Sequence, residues 1–174
     1  AMTITMMELK SLGIVAENGI DLHFLGRARG EKKIVELESA ESQLELLSSF
    51  DGRQQQLFLE YTLRDVANLE KNFRDMFAAW RRGDAARLEE LLKEPLRQSK
   101  EIVPIYRRLL DDRNVEMAEK IERYLKTDDT YFVVVGAGHL VGEKGLLRLL
   151  SRKYGVRPSI VQQPVASGSA AGAN

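Results

Sequence analysis

The sequence predicts an α/β fold, α+β-like and helix-rich, with a small, mostly parallel sheet covered by several helices. Three observations predict it. Two short β-prone runs, residues 34–37 and 131–135, lie far apart in the chain. The second breaks on Gly136 and Gly138 into a helical pattern, the strand–loop–helix order of an open α/β sheet. Between the two runs, apolar residues recur at helical spacing almost throughout.

The elements follow in order. Residues 2–12 are weakly helical and stop at Gly13. Asn18-Gly19 precedes a helix over 20–29, with Gly30 just past its end. Residues 34–37 read as a strand, and Ser39 as the N-cap of a helix reaching 50. Leu59, Leu63, Val66, Leu69, Phe73, Met76, Phe77 and Trp80 keep a 3–4 spacing without Gly or Pro, which predicts one long helix over 53–82 ended by Gly83. Its aromatic residues read as core. Asp84 caps a helix to 92, Pro95 ends it, and Pro104 lies in a helical stretch near 102–110. Asp111-Asp112 starts a helix to about 126, with Val115, Ala118, Ile121 and Leu125 inside.

Strand 131–135 comes next, then a helix over 143–154 closed by Gly155, then a last strand over 156–161 with Pro158 near its start. Residues 164–174, PVASGSAAGAN, read as a disordered tail, so residues 1–163 form one domain. Three strands are few for so much helix, and the sheet is expected to lack its N-terminal strands.

Composition narrows the classes of function. Hydrophobic residues make up 44% and charged residues 30%, as in an ordinary globular domain. Lys+Arg and Asp+Glu both count 26, which argues against a protein held to nucleic acid by bulk charge. With no cysteine, thiolate chemistry is excluded. No apolar run approaches the roughly 20 residues that cross a bilayer. The N-terminus lacks a signal-peptide pattern, so the compartment stays open; an upstream leader or anchor would make the parent extracytoplasmic or membrane-associated.

Gly136-Ala137-Gly138-His139 carries the candidate chemistry. Gly136 and Gly138 invite a cofactor-binding reading, because a glycine loop before a helix can seat a phosphate. The pattern continues only as G-x-G-x-x-x-G, and the run at 156–161 ends without an acidic residue for a ribose. His139 is the stronger candidate, as a metal ligand or a base at the end of a strand. Glu38 ends the other strand, at the same sheet edge if the two are parallel, and a histidine with a carboxylate is the minimum for a metal site or an acid–base pair. Arg113, placed in a helix first turn against the dipole, is suited to clamp a carboxylate. Structural roles compete with each: a loop histidine, a strand-end charge, a surface ion pair. His23 reads as structural.

These residues fall in blocks that resemble the TraB/PrgY/GumN family, whose animal relatives are the Tiki proteases. GAGHLVGEKGLLRLL within residues 131–150 resembles the family's C-terminal signature. Gly19-Ile20-Asp21 with Phe24-Leu25 and Ala28, Val35-Glu36-Leu37-Glu38 with Gln43-Leu44, Trp80-Arg81-x-Gly83-Asp84, and Asp112-Arg113-Asn114 resemble further family stretches in the same order. The resemblance implies a metal-dependent peptide hydrolase using Mn²⁺ or Co²⁺. It makes His139 and Glu38 metal ligands and counts Glu38, Arg113 and His139 as catalytic. The family's other Gly-x-x-His motif is absent from this chain. The expectation is therefore an incomplete site with little or no activity of its own. A non-catalytic peptide- or pheromone-binding protein is the alternative, and a homodimer through a free sheet edge or the long helix is a further expectation.

Overall fold

A computed structural model describes residues 2–157. Among them there is helix and irregular chain but no strand, so the expected parallel sheet is not there. The α-helices are α1 Met2–Ser11, α2 Ile20–Ala28, α3 Ala40–Ser48, α4 Gly52–Val66, α5 Leu69–Arg82, α6 Ala85–Gln98, α7 Val103–Tyr106, α8 Asp112–Leu125 and α9 Leu146–Tyr154.

The physical reason for the missing sheet lies in where each element finds its hydrogen bonds. A helix closes its own i→i−4 bonds, whereas a strand needs a neighbour. Residues 33–36 and 130–136 have no regular structure. Among the described residues, the backbone N–H groups of 130–135 make no backbone hydrogen bond. Phe132 is 72% exposed, and Tyr131, Val133 and Val134 are exposed too. Val156 and Arg157 are also irregular, while the rest of the expected last strand and the tail at 164–174 lie outside the described residues.

Local signals placed most helix ends. The Ser39 side chain accepts the N–H of Ser42 and caps α3. Asp51 and Gln54 form a reciprocal capping box on α4. Asp84 caps α6. Gly83 and Gly155 end α5 and α9 in the left-handed conformation.

Three helical expectations need correction. The long helix over 53–82 is two helices, α4 and α5, broken at Ala67-Asn68, where Asn68 leaves helical geometry at φ −115°, ψ 6°. Asparagine is a poor helix interior and a good cap, and the break lets both helices pack on α1. α6 carries on through Pro95, which forgoes one backbone bond without ending the helix. The helix expected from Asp111-Asp112 is part of a longer rod: a 3₁₀ turn, Lys100–Ile102, then α7, a π-helical turn, Arg107–Asp111, and α8. Arg113 therefore does not sit at a free helix N-terminus, and it does not oppose an exposed dipole.

Two clusters form the core. One joins Phe50, Leu57, Tyr61, Ile102 and Ile105, where α4 meets the start of the rod. The other joins Met117, Ala118, Leu146 and Leu150, where α8 meets α9, and Leu37 and Val135 pack onto it. The aromatic residues of α5 are not core as expected. Phe77 and Trp80 are exposed and stack in a row with Phe73.

Candidate functional site

The candidate site lies along the first turns of α8, between the two core clusters. The chain before the Ser39 cap delivers Glu38, the rod delivers Arg113 and Asn114, and the 3₁₀ turn Ala137–His139 delivers His139. The π-helical turn just upstream shifts the register of the rod by one residue where Arg113 and Asn114 begin. Such bulges occur frequently at functional sites.

Glu38 and Arg113 are 75 residues apart in sequence and form a two-pronged pair. Arg113 Nε donates to Glu38 Oε1 at 2.7 Å and Nη2 to Oε2 at 2.6 Å. The fork-on-fork geometry fixes both side chains. Arg113 Nη1 also donates to the carbonyl of Leu109, at 2.9 Å, inside the π turn. Lys120 reaches the carbonyl of Leu37 and anchors the segment that carries Glu38. The hydrogen bond from Arg113 holds the Glu38 carboxyl below its usual value against the opposing effect of burial, and the charges of His139 and Lys120 add to the lowering.

Glu38 and Arg113 open onto a polar cleft of about 420 Å³, lined also by Ser42, Glu45, Arg108 and Glu116. Arg108 bonds the Ser49 hydroxyl and lies over the Phe50 ring, 4.8 Å from its centre.

His139 is 9% exposed and stands behind that cleft, not in its wall. Its Nδ1 is hydrogen bonded to Asn114 Oδ1 at 2.7 Å, and Asn114 Nδ2 donates to the carbonyl of Lys144 at 2.8 Å. Burial lowers the imidazole pKa, the Arg113 charge lowers it further, and Glu38 opposes both. The structure thus gathers all three predicted site residues: Glu38 and Arg113 in direct contact, His139 close enough to feel both charges. Gly136 is exposed and lies over the ring, where an added Cβ would stand in ordinary contact, 3.7 Å from Cδ2. Gly138 instead meets Leu92 and Leu110, and the close approach it allows is to those side chains. Gly145 is required by the backbone itself: a Cβ there would fall 2.5 Å from the carbonyl oxygen of Val141. His23 is exposed, edge-on to Phe24.

Asn114, 2% exposed, is the site residue that sequence reasoning missed. The signal was present. Asn114, Met117, Ala118 and Ile121 keep the 3–4 spacing of an inner face. The expected inner face took in Val115 and Leu125 instead, both of which are exposed.

As a metal centre the described residues are short of donors. No group of three or more His, Cys, Asp or Glu is gathered among them. Each Glu38 oxygen accepts one bond from Arg113, and His139 is bonded to Asn114 through Nδ1, so the predicted pair offers two ligands at most. Also among the described residues, no helix is long and apolar enough to cross a membrane.

Comparison with known proteins adds the context. The model of the TraB/PrgY/gumN family matches residues 1–158. The "Uncharacterized protein YbaP" of Escherichia coli K12 is 29% identical over 151 residues, and that of Shigella flexneri gives the same figures. Each alignment covers 86% of this chain and 54% of the relative, so the chain spans about half the length of the curated relatives it matches. No solved structure matches significantly.

Proposed function

This chain belongs to the TraB/PrgY/gumN family, and on that premise we propose that it contributes one part of a peptide-hydrolysing site in which His139 is the reactive group. The observation that carries the reading is the His139–Asn114 hydrogen bond beside the Glu38–Arg113 pair. A buried imidazole held through Nδ1 presents Nε2 to a substrate. Its lowered pKa keeps it neutral near pH 7, the state a base requires. Nε2 would take a proton from a water whose oxygen bonds to the scissile carbonyl carbon. As the C–N bond breaks, the imidazolium would return that proton to the leaving amine.

A divalent ion, Mn²⁺ or Co²⁺ by the resemblance, does not fit the described residues alone. A catalytic centre takes about three protein ligands, and His139 with Glu38 supplies two at most among the described residues. The proton chemistry above therefore rests on the imidazole. Glu38 and Arg113 serve as a fixed electrostatic wall beside it.

The polar cleft, lined by Glu38 and Arg113 but not by His139, favours a second reading, a protein that binds peptide there without cleaving it. Peptide mixtures incubated with the protein, with and without Mn²⁺ or Co²⁺, separate the two. Cleavage that falls at least about 100-fold in His139→Ala supports the hydrolase. Peptide retention undiminished in His139→Ala, with no cleavage even when the remainder of the site is supplied, supports the binding protein and overturns the first reading.

A further inference from the structure

The amide of Asn114 is placed between two hydrogen-bonding groups of different kinds. On one side is the Lys144 carbonyl, which can only accept. On the other is His139 Nδ1, which donates or accepts according to tautomer. Turning the amide over would set Asn114 Oδ1 against the Lys144 carbonyl oxygen at hydrogen-bond distance, two acceptors with no proton between them. Nδ2 therefore faces Lys144 and Oδ1 faces the imidazole. Oδ1 has no proton to give, so the proton of that 2.7 Å bond belongs to Nδ1.

From this geometry we propose that Asn114 is a positioning residue that holds neutral His139 in the Nδ1–H tautomer and so keeps the free lone pair on Nε2. The functional meaning rests on the reading of His139 as the reactive group; the tautomer itself does not.

The clamp on Asn114 is built from the loop after His139. Lys144 gives its carbonyl to Asn114 and its Nζ to Asp111 Oδ2, at 2.8 Å. The loop thus closes onto the rod at two points, one of them the π turn. Gly142, at φ +84°, and Gly145, which admits no Cβ, shape the backbone that brings Lys144 there. In this way the Gly142–Gly145 loop reaches the imidazole through Asn114. A structural hydrogen bond would need only that Asn114 be paired. A positioning role needs the pairing to select one ring nitrogen.

Long-range ¹H–¹⁵N correlation of the imidazole nitrogens, on the whole ¹⁵N-labelled chain at mildly alkaline pH, reads the tautomer directly. The His23→Gln variant identifies which signals belong to His139. The expected result is a protonated Nδ1 and an unprotonated Nε2 at His139. Asn114→Asp keeps an acceptor toward the ring but gives up the bond to the Lys144 carbonyl; where it folds, Nδ1 should stay protonated. Asn114→Leu removes it and should shift the ring toward the Nε2–H form. A wild-type ring protonated at Nε2 overturns the proposal, and so does an unchanged pattern in folded Asn114→Leu. If Asn114→Leu does not fold, the wild-type spectrum still decides, because a ring protonated at Nε2 overturns the proposal. Because no step of the test requires turnover, a correct tautomer with no hydrolysis would remove the hydrolase reading and leave this one standing.

Discussion

Helix α4 and the segment 131–135 are both rich in apolar side chains, yet one is ordered structure and the other is exposed chain. The difference lies in their hydrogen bonds. α4 satisfies its backbone internally and adds a capping box at its N-terminus, so its apolar stripe can dock on Ile102 and Ile105 with nothing left unpaired. The run Tyr131-Phe132-Val133-Val134 has good strand propensity, but propensity supplies no partner. Only its last residue, Val135, is drawn onto the α8–α9 cluster. An apolar sequence thus becomes structure when its hydrogen bonds are local, and otherwise waits on a neighbour.

The sharpest way to break that comparison is to hollow out the helical side. Ile105 and Leu146 are each 1% exposed, one in each cluster. Ile105→Ala or Leu146→Ala should cost about 2–5 kcal/mol in denaturant unfolding. A loss below about 1 kcal/mol would mean that the clusters are not packed as described.

The contact between the two kinds of region comes next. Arg113→Met keeps the apolar stem but strands the part-buried Glu38 carboxylate, and should cost about 1–3 kcal/mol. The double variant with Glu38→Gln should recover part of this, measurable as a coupling in a double-mutant cycle.

The same residues predict a pH profile. Glu38 and His139 both have lowered pKa values when folded, so in each case the unfolded chain binds more protons as the pH falls. The His139 contribution is complete above its ordinary value of 6.5 and is lost as pH drops below it toward the folded value. The Glu38 contribution is complete above 4.5 and is lost lower still. Unfolding midpoints followed from neutral pH into acid should decline in two stages. His139→Gln should flatten the first and Glu38→Gln the second.

The smallest effects test the local rules. Asp51→Ala removes the α4 cap and should cost about 1 kcal/mol. Phe132→Ser, on the exposed segment, should stay within about 0.5 kcal/mol. A larger loss there would show a contact beyond the edge-on one that Phe132 makes with Phe24, ring centres 4.9 Å apart.

The helix ends were legible because their causes lie within a few residues: Ser39, Asp84, Gly83 and Gly155 act where the sequence puts them. Glu38, Arg113 and His139 could be named from residue type and order, and the structure brings them together. What the sequence could not state is that Arg113 occupies both Glu38 oxygens, because that pairing spans 75 residues and depends on how the rod and the chain before α3 meet. Nor could it state that Asn114 faces inward, since helical spacing leaves the choice of face to whatever packs there. The break at Asn68 was likewise undecided by a pattern that runs unbroken through it. Caps and most helix ends could be read along the chain, because they depend on bonds between near neighbours. Whether β-prone segments find a ladder partner, and which charges meet, was settled by folding, because both depend on surfaces that distant parts of the chain provide.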